Sequence, residues 1–371
     1  MLIRRWAVPL LLASLLLAQP AAAVTYPLTI PFDRSWPMSV VVDPARGLVY
    51  LDAVSGEYPP TGYSFGVINV TTHTLVRSLG LNVSAGPMVL DQGTGDVYVA
   101  GNTSIAVLDG KSQTFVRQFS VGHPILSMAH DGSVSPDIFF TSGAQLFAVN
   151  PQTGGIVGNV TFSNHVDAVA IDPFNGRVYV GVYPSPVIAV LDATSLSQVG
   201  TITLPSCCAL QFSLDQRTQT LYSATGTNYV FAVDAGTDTY LRELEVTTSP
   251  QNSTNFVAAD NATGSVFVAS SPGGSIVELD GSSGAVRATF NVSSEVAGIA
   301  LDTRTQELYA SNYHQITAID AARTGLFLLP IIVGGAVVAV GVAVGVFLFI
   351  RRRDQRERLR TQAGWSQPLQ K

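Results

Sequence analysis

The chain has 371 residues, of which 47% are hydrophobic and 12% are charged, and this length suits one large domain or two ordinary ones. Its charge is unevenly distributed, because residues 24–325 carry 24 Asp/Glu against 11 Lys/Arg, whereas residues 351–371 carry 2 Asp/Glu against 7 Lys/Arg. An acidic surface repels phosphate backbones, so we expect no nucleic-acid partner for residues 24–325.

Residues 1–23 have the three parts of a secretory signal peptide. Arg4 and Arg5 precede the apolar run Trp6–Ala18, and Pro20 is followed by three alanines that end at Ala23. We expect cleavage near Ala23.

An uncharged run, Leu326–Ile350, predicts a transmembrane helix at residues 325–350. At ~1.5 Å per residue, a helix of this length exceeds the ~30 Å hydrocarbon core of a bilayer. Three arginines, 351–353, follow at once, and the positive-inside rule keeps such a cluster in the cytoplasm. The sequence therefore predicts a single-pass cell-membrane protein, with residues 24–324 outside and a basic cytoplasmic tail at 351–371.

Two series of acidic or amide residues recur along residues 24–324. The first series closes the first β-like run of each unit, at intervals of 40 to 48 residues: Asp43, Asp91, Asp131, Asp172, Asp215, Asp260 and Asp302. The second closes the third run of each unit: Asn69, Asp109, Asn150, Asp192, Asp234, Asp280 and Asp320. Seven units of this period, built from short runs rich in Val, Ile, Tyr and Thr, predict an all-β, seven-bladed β-propeller.

The aspartates of the first series, called the anchor aspartates below, are interpreted as turn residues and not as catalytic groups. In four units a glycine follows four residues after the aspartate, as in Asp43 and Gly47. The carboxylate can accept hydrogen bonds from backbone N–H groups two residues further on, and the glycine supplies a positive φ.

The last unit has three runs, which end at Ile319, and no fourth before the predicted membrane helix. At the other end of the domain, Tyr26–Pro31 precedes the first anchor aspartate as Val199–Leu204 precedes the fifth. We predict that this N-terminal run is the outer strand of the last blade, because it would cover an open sheet edge and close the ring.

The first and third units depart from the repeat. An insertion, Ala53–Tyr63, predicts a long loop on one rim, and long loops on rigid scaffolds often bind ligands. In the third unit, Val134–Asp137 separates the anchor aspartate from a strand that we expect to begin at Ile138.

The units resemble the YVTN family of β-propeller repeats, which is known from archaeal surface-layer and other cell-surface proteins. Tyr179–Val182 with Val187–Thr194, Tyr98–Gly101 with Ile105–Asp109, and Val121–Pro124 match parts of the pattern. No unit contains the full tetrapeptide. The resemblance implies an extracellular, often non-catalytic scaffold, and it brings no catalytic residues.

In a ring of blades, the connections between units surround a central channel on one face. Seven residues before each anchor aspartate stand Trp36, Ser84, Pro124, His165, Cys208, Ser253 and Glu295. The residues five positions before each anchor aspartate are called the channel ring below: Met38, Gly86, Leu126, Asp167, Leu210, Asn255 and Ala297. A propeller enzyme would keep its site here.

Four of these residues, His165, Asp167, Asn255 and Glu295, could bind a metal ion, with His123 and His314 nearby. They support an alternative function as an extracytoplasmic metal-dependent hydrolase or lactonase. The rest of the ring is small or apolar, and the sequence has no acidic calcium loop, closely spaced histidine pair or Gly-x-Ser-x-Gly elbow. We therefore predict a protein that is not an enzyme and that binds neither a metal nor a cofactor.

Aromatic residues on the same face complete the set of candidate ligand contacts, with ordinary loop packing as the alternative interpretation: Trp36, Tyr58, Tyr63, Tyr183 and Tyr313. Seven Asn-x-Ser/Thr sequons are candidate glycosylation sites: Asn69, Asn82, Asn102, Asn159, Asn252, Asn261 and Asn291. The adjacent Cys207 and Cys208 leave open a vicinal disulfide, a reactive thiol pair or two small buried residues.

We expect a membrane-anchored, non-enzymatic surface protein whose propeller face binds another protein, an envelope component or a glycan. The sequence leaves its oligomeric state open.

Overall fold

A computed structural model describes residues 27–32, 35–56, 60–246, 253–271, 273–292, 295–312 and 315–322. The predicted signal peptide, transmembrane helix and cytoplasmic tail lie outside these residues. Within the described ranges, no helix is long and apolar enough to cross a membrane.

The described chain contains 28 β-strands. In chain order they are β1 (Leu28–Pro31), β2 (Ser35–Asp43), β3 (Leu48–Ser55), β4 (Gly62–Asn69), β5 (Thr74–Gly80), β6 (Met88–Leu90), β7 (Val97–Ala100), β8 (Ser104–Asp109), β9 (Thr114–Ser120), β10 (Ser127–Asp131), β11 (Ser135–Ser142), β12 (Gln145–Val149), β13 (Ile156–Thr161), β14 (His165–Asp172), β15 (Arg177–Tyr183), β16 (Val187–Asp192), β17 (Gln198–Thr203), β18 (Gln211–Asp215), β19 (Thr220–Ala224), β20 (Tyr229–Asp234), β21 (Thr239–Glu245), β22 (Ser253–Ala259), β23 (Ser265–Ser271), β24 (Ser275–Asp280), β25 (Val286–Asn291), β26 (Val296–Asp302), β27 (Glu307–Asn312) and β28 (Gln315–Asp320).

These strands form seven antiparallel sheets of four strands each. Blades 1 to 6 are the consecutive strands β2–β5, β6–β9, β10–β13, β14–β17, β18–β21 and β22–β25. Blade 7 has the order β26, β27, β28 and then β1, whose Leu28 lies opposite Ala318 and whose Pro31 lies opposite Gln315. The predicted seven-bladed β-propeller and its closure by an N-terminal outer strand are confirmed.

The inner and outer strands of a blade differ in burial because only the inner strands lie between two neighbouring blades. All four residues of β7, Val97–Ala100, are buried, whereas the outer strand β9 alternates between exposed and half-buried residues. Continuous apolar runs therefore mark inner strands, and alternating runs mark the outer edge.

The apolar core is divided into seven clusters, one at each junction between neighbouring blades. At the junction of blades 7 and 1, Ile30 and Phe32 from the N-terminal segment pack with Leu51, Tyr309 and Ile316. The N-terminal segment thus contributes to the core as well as to the sheet. Burying side chains of this size stabilises the fold by roughly 1.5–3 kcal/mol each.

The anchor aspartates end the first strands and organise the turns that follow them. Each accepts hydrogen bonds from backbone N–H groups two or three residues further on, as Asp172 does from Phe174 at 2.9 Å. Gly47, Gly95, Gly176 and Gly264 have φ of +63° to +81°, and Gln219 and Gln306 adopt a positive φ at the same position of blades 5 and 7.

Two predicted boundaries were wrong. The insertion in the first unit lengthens β3 and β4, which pair from Leu48 with Asn69 to Ser55 with Gly62, so Tyr63 lies in a strand and not in a loop. The pairing ends only at Ser55, before Gly56, whose φ of +85° lies outside the extended region of a strand. In blade 3, β11 begins at Ser135, because a register shift between His130 and Asp131 absorbs the extra residues.

Candidate functional site

One end of the central channel is a cavity of about 390 Å³, called the channel cavity below. It lies at the starts of the first strands, on the face that carries the connections between blades. All seven residues of the channel ring line it: Met38, Gly86, Leu126, Asp167, Leu210, Asn255 and Ala297.

Four residues of the channel ring are pushed into this position by β-bulges. The register of the first strand shifts between Pro37 and Ser39, and equivalent shifts skip Asp167, Asn255 and Ala297. A β-bulge leaves one residue without a partner opposite it and re-aims its side chain. The bulges therefore select which side chains face the channel.

The channel cavity is lined by large, adaptable apolar side chains. Three of the four methionines in the chain, Met38, Met88 and Met128, line it together with Leu126 and Phe256. Met38 is 41% exposed and Leu126 is 45% exposed. Methionine has an unbranched, polarisable side chain that adapts to the shape of a partner. The cavity is suited to apolar groups of a ligand.

A second cavity of about 350 Å³, called the side pocket below, adjoins the channel cavity where blades 6, 7 and 1 meet. The two cavities share Met38, Asn255, Phe256 and Ala297. The side pocket is also lined by Trp36, Glu295 and Asn312. Trp36 and Glu295 were predicted to lie on this face. Aromatic and apolar walls with a few polar groups are typical of ligand sites.

A buried amide in the side pocket has unused hydrogen-bonding capacity. Asn312 is 1% exposed, and its Oδ1 accepts a hydrogen bond of 3.3 Å from Thr317 Oγ1. Its buried Nδ2 has no hydrogen-bond partner within the described chain. A buried donor without a partner costs roughly 1–3 kcal/mol, so an acceptor on a ligand would be favoured here.

The candidate metal ligands are only partly brought together. His165 Nδ1 lies 2.8 Å from Asp167 Oδ1, because residues two apart in a strand point to the same side. Asn255 lines the channel cavity with Asp167 and the side pocket with Glu295, whereas Asp167 and Glu295 share neither cavity. Among the described residues, no group of three His, Cys, Asp or Glu side chains could hold a metal ion.

The remaining candidates on this face have separate positions. His123 stacks on Phe147 with ring centroids 4.3 Å apart, and Tyr183 is 45% exposed at the end of β15. Tyr63 pairs with Val54 in the lengthened hairpin of blade 1. Tyr58, Tyr313 and His314 lie outside the described residues, as does the sequon residue Asn252.

The carboxyl group of Asp52, which was not among the predicted site residues, supports the wall of the channel. Asp52 in β3 is fully buried and accepts hydrogen bonds from Ser39 N–H at 2.9 Å and from Gly86 N–H at 2.6 Å. Burial raises the pKa of Asp52 to about 7, against these two hydrogen bonds, which lower it. Other units have Ala, Thr, Gly or Ser at this position, so an acid in an apolar strand was the available signal.

Arginines on the outer strands join neighbouring blades, and the sequence pattern did not predict this role. Arg77 donates hydrogen bonds to the carbonyls of Ser112 and Gln113 at 3.2 and 3.1 Å, in a turn of the next blade. Arg117 and Arg242 occupy the same position in blades 2 and 5 and also donate to backbone carbonyls of the next blade. Their partners are 34 to 39 residues away in sequence, which no local pattern reveals.

Cys207 and Cys208 are joined as a disulfide between adjacent residues, which is one of the three alternatives given above. Cys208 is buried, and the disulfide lies in the connection between blades 4 and 5, close to the channel-ring residue Leu210.

The described sequon residues fall into two groups. Asn82, Asn102, Asn159 and Asn291 are exposed. Asn69 Oδ1 accepts a hydrogen bond from Thr72 N–H at 2.9 Å, and Asn261 Oδ1 accepts one from Gln216 N–H at 3.0 Å. The first group is the more accessible to a modifying enzyme.

The described part of the chain is therefore a seven-bladed β-propeller, a class of repeat protein that commonly serves as a protein-interaction or scaffold module. It is similar to the solved β-propeller domain of Myceliophteria thermophila Cps50 (Swd1), at 10% sequence identity and a TM-score of 0.65. The alignment covers 78% of this chain and 98% of that one, and at this identity the likeness concerns the fold alone. No family model and no curated protein matches the chain, so the resemblance to YVTN repeats stays a prediction.

Proposed function

We propose that the chain is a membrane-anchored, non-enzymatic cell-surface protein that binds a partner protein through the channel cavity and the side pocket. One observation carries this proposal: the two cavities share four residues and so form a continuous surface of apolar side chains and polar groups on one face of the ring. A surface of this kind suits a segment that inserts several side chains at once.

The charge of the site favours a basic partner segment. Asp167 and Glu295 are the charged residues that line the two cavities, and no lysine or arginine of the described chain lines either. Opposite charge steers association and fixes the orientation of a partner. We therefore propose a segment that combines apolar or aromatic side chains with lysine or arginine.

The location at the cell surface rests on sequence features outside the described residues. The signal peptide at residues 1–23, the apolar run at 325–350 and the arginines that follow it support an anchor with the propeller outside. The exposed sequons Asn82, Asn102, Asn159 and Asn291 are consistent with that side of the membrane.

Binding of the purified full-length chain to a random peptide library tests the proposal. We expect the bound peptides to be enriched in Lys or Arg next to Leu, Met or aromatic residues. Met38→Lys should abolish binding, because it puts a positive charge against the basic segment and removes an apolar contact. Val116→Lys is the matched control, since Val116 is 60% exposed on the outer strand β9 and lies away from both cavities.

Equal binding by the two variants, or a preference for acidic peptides, would contradict the proposal. Binding to a glycan array that Met38→Lys abolishes, without peptide binding, would make the partner a glycan. Retention of Zn²⁺ or Ca²⁺ by the wild type and its loss in Asp167→Asn, measured by elemental analysis, would favour the metal-dependent hydrolase.

A further inference from the structure

A third cavity, called the seam pocket below, lies on the opposite face of the ring, where blades 5 and 6 meet. Its volume is about 340 Å³, and its walls are turns at the ends of the first and third strands. It is therefore separate from the channel cavity, which lies at the starts of the first strands. The side chains of Arg217, Arg242 and Arg287 line it together with hydroxyl groups such as Thr218 and Ser282.

This concentration of positive charge is unusual in so acidic a domain. Three of the eight arginines in the described ranges line this single cavity. Two acidic residues, Asp215 and Asp280, also line it. A third carboxylate, that of Glu278, lies behind the wall at 3.9 Å from Arg287 Nη1, so the carboxylates offset the charge of Arg217 and Arg287.

The two carboxylates are already engaged. Asp280 accepts hydrogen bonds from Ser282 and Ser283 in its own turn and from Arg287 Nη2 at 2.5 Å. Asp215 accepts hydrogen bonds from the N–H groups of Arg217 and Thr218. Hydrogen bonds from the Ser282 hydroxyl, the Ser283 N–H group and the Arg287 guanidinium lower the pKa of Asp280, so this carboxylate is charged and paired with Arg287.

Arg242 differs from the other two arginines of the seam pocket in its ion pairing. No carboxylate of the described chain forms an ion pair with it, whereas Arg217 and Arg287 lie beside Asp215 and Asp280. Its Nη2 donates to the carbonyl of Gly281 at 2.6 Å. Its Nε is buried and has no hydrogen-bond partner among the described residues. A guanidinium with a free buried donor is suited to an oxyanion, since it can present two parallel N–H groups.

We propose that the seam pocket binds a phosphate or sulfate group, with Arg242 as the main ligand and Arg217 and Arg287 at its sides. The group can be a free anion or an ester on a larger molecule such as a sugar, since both present the same oxygens. This site is independent of the partner site proposed above, because it lies on the other face and shares no residue with either cavity.

The chain provides a matched control for the structural role of Arg242. Arg117 occupies the same position in blade 2 and donates to the carbonyls of Pro151 and Gln152 in blade 3. Arg117→Gln therefore removes an equivalent link between blades without altering the seam pocket. Arg217→Gln is a second variant, because its side chain is 54% exposed and tolerates truncation.

The test is calorimetric titration of the purified full-length chain with inorganic sulfate and with inorganic phosphate, at constant ionic strength with chloride as the reference. We expect saturable binding that weakens by about 10-fold or more in Arg242→Gln and also weakens in Arg217→Gln, since a hydrogen bond to a charged group is lost. Arg117→Gln should bind as the wild type does. A sugar sulfate or sugar phosphate that binds more tightly than the inorganic ion would identify an ester as the natural source.

Three results would overturn the proposal: no saturable binding of either anion, equal weakening in Arg117→Gln and Arg242→Gln, or undiminished binding in both Arg242→Gln and Arg217→Gln. The peptide-binding assay for the channel face is read separately, and Arg242→Gln should leave it unchanged. Failure of one site is thus distinguishable from failure of the other.

Discussion

The buried carboxylate of Asp52 in blade 1 accepts a hydrogen bond of 2.6 Å from the backbone N–H of Gly86 in blade 2. Its other oxygen accepts from Ser39 N–H at 2.9 Å, and both Ser39 and Gly86 line the channel cavity. One side chain therefore fixes the channel wall on both sides of the junction between these blades.

The stability of the propeller should depend on pH through Asp52. Burial raises its pKa from 3.8 to about 7, so the folded state binds this proton more tightly than the unfolded state. Its contribution to stability is fully present below pH 3.8 and is lost as the pH rises to about 7, by no more than about 4 kcal/mol.

Denaturant unfolding of the wild type and Asp52→Asn across this pH range checks the assignment. The variant cannot titrate at this position, so the wild type should lose stability relative to it as the pH rises. Parallel stability curves for the two proteins would show that Asp52 does not titrate there.

Closure of the ring by β1 predicts a strong effect of one N-terminal substitution. Ile30 is 3% exposed and packs at the junction of blades 7 and 1, so Ile30→Ala should cost about 2–5 kcal/mol of unfolding free energy. Thr29→Ala, at an exposed position of the same strand, is the control and should change stability by less than about 0.5 kcal/mol. Similar thermal unfolding of the two variants would contradict closure by β1.

Two tyrosines at equivalent positions should respond differently to loss of their hydroxyl group. Tyr179 Oη donates to Asp238 Oδ1 at 2.9 Å and lies 3.0 Å from the carbonyl of Ala235, which links blade 4 to blade 5. Tyr50 Oη is buried without a partner in the described chain. Tyr179→Phe should therefore destabilise the protein by about 0.5–1.5 kcal/mol, whereas Tyr50→Phe should be neutral or stabilising. Equal effects in chemical denaturation would refute this difference.

Glycosylation reports on the proposed location of the propeller. In a host that modifies sequons, Asn82, Asn102, Asn159 and Asn291 should carry glycans, because they are exposed. Asn159→Gln should remove one step of the mobility shift that endoglycosidase produces on a gel. Asn69→Gln is the comparison, since the amide of Asn69 accepts a hydrogen bond within its turn. Full-length protein without any glycan in such a host would argue against an extracellular propeller.

The role of Asp172 could be predicted from the sequence, whereas the position of the Asp167 side chain could not. Asp172 recurs in all seven units, and its hydrogen bond to Phe174 N–H spans two residues, so the repeat reveals its role. Asp167 faces the channel because a bulge in β14 leaves it without a residue opposite it on β15. Counting from the anchor aspartates located the channel ring, but the bulges that aim its side chains depend on pairing across the sheet.

The sequence by itself determined the number of blades, the order of their strands and the N-terminal closing strand, because these follow from a repeated pattern of apolar runs and turns. The tertiary structure alone decided the continuous channel cavity and side pocket, the support of the channel wall by Asp52, and the seam pocket around Arg242. These features form between blades, from residues that are 34 residues apart for Asp52 and Gly86 and 39 apart for Arg242 and Gly281. The repeat specifies each blade, whereas the junctions arise from side chains in which the copies differ.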